Sequence, residues 1–209
     1  MSRKRAAIFI SGRGSNMVSL LAAMKTADYP VEAALVLSNN PEAPGLALAA
    51  GEGVATAAID HRPFKGDRAG FEAKIQETLA AERIDLICLA GFLRILTGGF
   101  VEQWRDRMIN IHPSLLPSFK GLHSHERVLE AGVGFHGCTV HLVRAEMDDG
   151  PILGQAALAV QAGESADALG ARVLELEHKL YPAALAAYVS GELRLAGERI
   201  APGPLTISG

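Results

Sequence analysis

Five short apolar runs, unbroken by polar alternation and spaced by helix-length stretches, constrain this chain more than any other feature. They are Ala6-Ala7-Ile8-Phe9-Ile10, Ala33-Ala34-Leu35-Val36-Leu37, residues 55–59, Leu86-Ile87-Cys88-Leu89-Ala90 and Met108-Ile109-Asn110-Ile111. Each reads as a strand buried on both faces. Between them, Ser15 is placed to cap a helix running through Met24. Pro44 sits where a first-turn proline belongs, and a further helix is expected over about residues 67–82. Strands of this kind alternating with helices predict an α/β fold with a Rossmann-like, doubly wound, mostly parallel sheet.

After Asn110 the rhythm changes. Residues 113–136 are rich in Pro, Ser, His and Gly, with one short helical piece near residues 125–131. Two more strands, Thr139-Val140-His141-Leu142-Val143 and Ile152-Leu153-Gly154-Gln155-Ala156, are joined through the turn signal Asp148-Asp149-Gly150-Pro151. A long helix is expected over about 165–190, followed by a short tail that frays from Pro202. No repeat, linker or low-complexity tract interrupts residues 1–209, so a single domain is expected.

Composition narrows the function classes. Of 209 residues, 49% are hydrophobic and 21% charged, enough for a substantial core and unlike a disordered chain. Twenty basic residues against twenty-three acidic ones, a net charge of −3, leave no electrostatic footprint for nucleic acid. The apolar runs fall short of the ~20 residues that cross a bilayer. Met1-Ser2-Arg3-Lys4-Arg5 resembles the start of a signal peptide, but Ser11-Gly12-Arg13-Gly14 ends the following apolar run too early. Cys88 and Cys138 form neither a CxxC pair nor a disulfide framework. These features point to a soluble, reduced, cytoplasmic protein with no nucleic-acid or membrane partner. Monomer and homodimer both stay open.

Parallel α/β sheets bind ligands at the carboxyl ends of their strands, which selects three polar clusters expected to converge on one edge. Gly12-Arg13-Gly14-Ser15-Asn16 follows a strand and opens a helix, a setting for a phosphate group. Met17 stands where the dinucleotide fingerprint wants a third glycine, and an ordinary turn capped by Ser15 fits equally. Asn110 and His112 stand two apart at a strand end, so both side chains project to one side. An amide donor beside an imidazole suits a reaction that builds an oxyanion next to a departing amine. Asp148 or Asp149 could orient that imidazole, and sequence alone leaves open which. His123-Ser124-His125, with His136 and His141, raises a zinc site, against which Ser118 or Ser124 capping a helix is the simpler reading. Arg68 and Arg94 are candidate carboxylate clamps. No GxSxG elbow is present, and neither cysteine sits in a nucleophile motif.

Asn110-Ile111-His112-Pro113-Ser114-Leu115-Leu116-Pro117 resembles the signature of the folate-dependent formyltransferases, and the segment from Gly137 to Gly150 fits that family's G-x-T-V and D-x-G elements. The Gly12-x-Gly14-Ser15-Asn16 opening and Ala90-Gly91-Phe92-Leu93-Arg94-Ile95-Leu96 narrow the likeness to the branch that formylates glycinamide ribonucleotide in purine synthesis. The resemblance runs over about residues 5–195. It implies the formyltransferase fold, 10-formyltetrahydrofolate as co-substrate and no metal. It also implies direct attack of the nucleotide's amine on the formyl carbon, with Asn110, His112 and Asp148 catalytic; the D-x-G spacing selects Asp148 over Asp149.

Carried over residue by residue, the same resemblance assigns Gly14, Ser15 and Asn16 to the nucleotide's phosphate and Glu177 to its ribose. Arg68, Leu93, Arg94, Ile95 and Leu96 fall to the formyl-folate, with Asn110 and the loop Arg144, Ala145, Glu146, Met147 and Asp148. Lys120 and Val18 depart from residues common in relatives, and neither touches the chemistry. A deformylase of the same family, expected to carry an extra N-terminal domain, and a transfer-RNA formyltransferase, expected to extend further at its C-terminus, are rival readings. A non-catalytic folate- or nucleotide-binding protein is a rival of another class; it would be expected to have lost Asn110, His112 or Asp148.

Overall fold

The structure is a computed structural model and describes residues 3–209; Met1 and Ser2, the start of the basic stretch weighed as a signal sequence, lie outside it. Its backbone clusters into two compact units, one up to Ile109 and the other from Asn110.

The first unit holds β1 (Lys4–Ile10), α1 (Ser15–Met24), β2 (Val31–Ser38), α2 (Pro44–Gly51), β3 (Ala55–Ala58), α3 (Arg68–Ala81), β4 (Leu86–Leu89) and α4 (Gly98–Gln103). Its strands lie in the order β3-β2-β1-β4, every pair parallel. Residues 6–10 of β1 are wholly buried, as are Val36, Leu37, Ile87 and Cys88 on its neighbours. That is the physical meaning of apolar runs without alternation in β1, β2 and β4, whose faces are covered. Strand β3, at the edge of the strand order, is largely exposed, so the reading of residues 55–59 as buried on both faces does not hold. Helix α4 was not expected; Thr97 caps it by accepting from the Phe100 N–H at 3.2 Å.

The second unit holds α5 (Ser124–Ala131), β6 (Phe135–Leu142), β7 (Ile152–Ala159), α6 (Ala166–Ser190), β8 (Arg194–Ala196), β9 (Arg199–Ala201) and β10 (Leu205–Ser208). The strand Met108–His112, numbered here between β4 and β6 as β5, spans the division. The order is β5-β6-β7-β10; β6 and β7 are antiparallel, and β10 joins β7 in parallel. Helix α6 buries Leu169, Val173, Leu176, Leu180, Tyr181, Ala184 and Leu185, one stripe at helical spacing, and Ser165 caps it. No helix among the described residues is long and apolar enough to cross a membrane.

The structure corrects three further expectations. The tail does not fray: residues 205–208 pair with 154–157 of β7, and β8 and β9 form an antiparallel hairpin. The tail's short polar run hid strands that are specified by their partners. Ser15 is the first helical residue of α1, and the capping position belongs to Gly14 in a left-handed conformation, with no side-chain cap. Neither Ser118 nor Ser124 caps α5; His123 holds that position, also left-handed.

Candidate active site

In the second unit, β5 presents Asn110 and His112, and β6 presents His141. Asn110 donates through Nδ2 to Nε2 of His141 at 3.1 Å, and His141 donates through Nδ1 to the Leu142 carbonyl at 3.0 Å. Burial is the main reason the His141 pKa falls from 6.5 to about 4, with the nearby His112 adding to it. At neutral pH the ring is therefore uncharged, its one proton on Nδ1 and its Nε2 an acceptor that fixes the Asn110 amide.

His112 donates through Nε2 to the carbonyl of Phe119 at 3.0 Å. Its Nδ1 faces Oδ2 of Asp148 at 3.4 Å, and Oδ1 of Asp148 lies 3.8 Å from Nε2 of His141. Asp148 thus stands between two imidazoles, and its Oδ2 also accepts the Gly121 N–H at 2.8 Å. Asp149 points elsewhere and pairs with Lys120. Asp148 adopts φ 52°, the left-handed region that non-glycine residues enter at a cost of ~1–2 kcal/mol. Strain of this kind collects at functional sites.

The segment after His112 is held by a polar lattice that sequence reasoning did not single out. Thr139 donates to the Ser114 carbonyl at 2.7 Å and accepts from the Leu116 N–H at 3.0 Å; Gln155 donates to the Leu116 carbonyl at 2.9 Å. Ser114 donates to the Ser118 carbonyl at 2.6 Å, closing the turn that delivers Phe119 to His112. A buried threonine inside the strand was the available signal, because such a hydroxyl must find partners.

In the first unit, the carboxyl ends of β1, β2 and β4 are tied through one hydroxyl. Ser11 donates to Oδ1 of Asn39 at 2.5 Å and accepts from the Leu93 N–H at 2.7 Å, while its own N–H bonds to the Gly91 carbonyl at 3.0 Å. Gly14, at φ 71°, turns the chain into α1; a Cβ there would meet Ile10 and Met17 at 3.2 and 3.3 Å. The turn leaves the first N–H groups of α1, at Ser15 and Asn16, at the positive end of the helix dipole. Leu93, Arg94, Ile95 and Leu96 form a loop anchored beyond its far end by Glu72, which accepts from the Thr97 N–H at 2.6 Å. Leu93 and Ile95 are 74% and 65% exposed, an apolar surface suited to a flat heterocycle.

The remaining candidates fall as follows. Arg68 is exposed at the start of α3. Glu177 is buried on α6; burial, and after it the Glu177 charge, pushes the Cys138 thiol up, so that thiol is no nucleophile at neutral pH. Arg144 is bound to Glu198, and Ala145, Glu146 and Met147 are exposed beside Asp148. His125 and His136 bond to each other at 3.0 Å, both with pKa lowered mainly by burial, His136 to about 4. His123 instead faces Glu126 at the surface. Among the described residues no group of three His, Cys, Asp or Glu could hold a metal ion.

Residues 4–185 match the formyl transferase family. The chain belongs to that family. A formyl transferase relative, the trifunctional purine biosynthetic protein adenosine-3 of Bos taurus, is 44% identical over 92% of this chain, and the chain spans about a fifth of that relative's length (19%). Phosphoribosylglycinamide formyltransferase of Escherichia coli is 38% identical over 93% of this chain and 95% of its own length. The crystal structure of glycinamide ribonucleotide transformylase 1 from Symbiobacterium toebii, 38% identical, matches with a TM-score of 0.91 over 95% of this chain and 93% of that one. The expected fold class, α/β with a mostly parallel sheet in the formyltransferase arrangement, is the one the chain has.

Proposed function

We propose that this formyl transferase moves the formyl group of 10-formyltetrahydrofolate to the primary amine of glycinamide ribonucleotide, as a cytoplasmic purine-synthesis enzyme whose catalytic domain extends over residues 1–209. The observation that carries the reading is Asp148, held in a left-handed backbone between His112 and His141, with Asn110 anchored to the second imidazole. The relatives' names support the choice of glycinamide ribonucleotide as acceptor and of formyl as the group moved.

The amine attacks the formyl carbon, a C–N bond forms, and the carbonyl oxygen becomes an oxyanion. Asn110 has two amide hydrogens; one is given to His141, and the second serves the oxyanion. Such a donor contributes ~3–4 kcal/mol to the barrier in other enzymes. His112 adds a second donor once its Nε2–H leaves the Phe119 carbonyl, while Asp148 holds the ring through Nδ1. The bond from the formyl carbon to N10 then breaks, N10 takes a proton, and the amine has lost one. Acid–base help of this kind is worth roughly 10²–10⁴-fold. Leu93, Arg94, Ile95 and Leu96, with Arg68 and the loop Arg144 to Asp148, take the folate. Gly14, Ser15 and Asn16 take the phosphate, and Glu177 the ribose. The donor set requires no metal, and the chemistry is open to a monomer or a homodimer.

The test mixes purified protein with 10-formyltetrahydrofolate, with and without glycinamide ribonucleotide. Tetrahydrofolate release that requires the nucleotide is the expected result. Release at the same rate without it would make the protein a deformylase and overturn the reading.

A further inference from the structure

The hairpin of β8 and β9 reaches the loop that ends in Asp148. Glu198, in the hairpin's turn, accepts through Oε2 from Nε of Arg144 at 2.8 Å, and Arg144 also donates to the Val143 carbonyl at 3.1 Å. The two side chains are unequally placed: that of Arg144 is 9% exposed and that of Glu198 57%. The arginine therefore lies against the protein and the glutamate reaches over it from outside.

The loop is closed at its base by the Leu142 N–H, which donates to the Pro151 carbonyl at 2.9 Å, and Met147 lies beside Gly121, where a Cβ would meet its sulfur at 3.8 Å. At its far end Asp148 accepts from Gly121 and Asp149 pairs with Lys120. At its near end stands the Arg144–Glu198 bond. Ala145, Glu146 and Met147, between these anchors, are exposed. A cavity of about 390 Å³ separates the hairpin from the Asp148 side of the loop, lined by Asp148, Asp149, Pro151, Glu198, Arg199 and Ile200. Beside that space the charge-assisted bond between Glu198 and Arg144 links the hairpin to the loop. The hairpin itself is seated by Ile200, which is buried.

We propose that Glu198 is a positioning residue: through Arg144 it sets the near end of the 143–150 loop, and so the placement of Asp148 and of the exposed residues 145–147. Its catalytic consequence rests on the formyl-transfer reading above. The C-terminal hairpin is then part of the folate-facing apparatus rather than an inert tail.

The test compares Glu198→Ala, Glu198→Asp, Arg144→Ala and the exchanged pair Arg144→Glu with Glu198→Arg, in the full chain. Two measurements are made: amide hydrogen exchange over residues 143–150, and steady-state kinetics with each substrate varied. Glu198→Ala and Arg144→Ala are expected to speed exchange in the loop about three- to tenfold. They should raise the KM for 10-formyltetrahydrofolate by a similar factor, leaving the KM for the nucleotide unchanged. Glu198→Asp and the exchanged pair should recover part of both effects. A merely structural role would lower the active fraction, and kcat with it, without separating the two KM values. Unchanged exchange in both alanine variants overturns the clamp; faster exchange with an unchanged folate KM overturns the positioning role. Should the unmodified chain transfer no formyl group, the functional reading fails while the exchange data still decide the clamp.

Discussion

Asn110 gives an amide hydrogen to Nε2 of His141 across 3.1 Å, and it can do so only while that imidazole is uncharged. Burial holds the His141 pKa down from 6.5 to about 4. As pH falls through 6.5 the unfolded chain takes up a proton that the folded chain refuses until about 4. Stability is therefore complete above 6.5 and is lost on acidification, by ~1.4 kcal/mol per pH unit for such a group. His136, depressed to about 4 by burial and by the neighbouring His125, adds to the same slope. Urea unfolding followed from neutral pH down to pH ~5 should show the midpoint falling steadily. In His141→Asn the fall should be shallower, and an equal slope in the variant would remove His141 as its source.

Much of this was legible in the chain. The apolar runs marked β1, β2, β4 and β5 because strands covered on both faces need no polar alternation, and β3, largely exposed at the edge, was marked by its small apolar residues alone. Asn110 with His112 stood out as polar residues at the end of one such run. The glycine of D-x-G also has a structural reason: a Cβ at Gly150 would stand 1.7 Å from the Leu142 carbonyl oxygen. What could not be read was pairing at a distance. Ser11 joins three strand ends and His141 anchors Asn110, each set by residues far apart in sequence, and the turn that brings the Phe119 carbonyl to Nε2 of His112 is held by Thr139 on another strand. Strands β8 to β10 escaped because segments of three or four residues carry little pattern of their own; a partner strand defines them.

Thr139 is the buried hub of the 113–121 segment. Replacing it with Val keeps its shape but removes the 2.7 Å bond to the Ser114 carbonyl and the 3.0 Å bond from the Leu116 N–H, which keeps the Ser114 carbonyl as an acceptor at 3.2 Å. A hydrogen bond of this kind is worth ~0.5–1.5 kcal/mol net, so losing the two costs ~1–3 kcal/mol. Denaturant unfolding of Thr139→Val should show a loss in that range, and activity should fall as well because the same segment delivers Phe119 to His112. A variant as stable as the parent would show that the lattice is dispensable.

Leu93 and Ile95 expose apolar side chains on a loop that Ser11 and Glu72 hold in place. Covering one such side chain with a ligand is worth ~1.5–3 kcal/mol, roughly tenfold or more in affinity. Leu93→Ser should therefore raise the KM for 10-formyltetrahydrofolate by about tenfold and leave that for the nucleotide unchanged. Equal changes in both would place the loop outside the folate site.

The most direct measurement is single-turnover transfer of isotopically labelled formyl to glycinamide ribonucleotide by Asp148→Asn. That substitution keeps the shape and removes the carboxylate that faces His112 at 3.4 Å. The expected result is a rate lowered by roughly 10²–10⁴-fold with nucleotide affinity nearly unchanged. A variant that transfers the label at close to the parent rate would contradict the account.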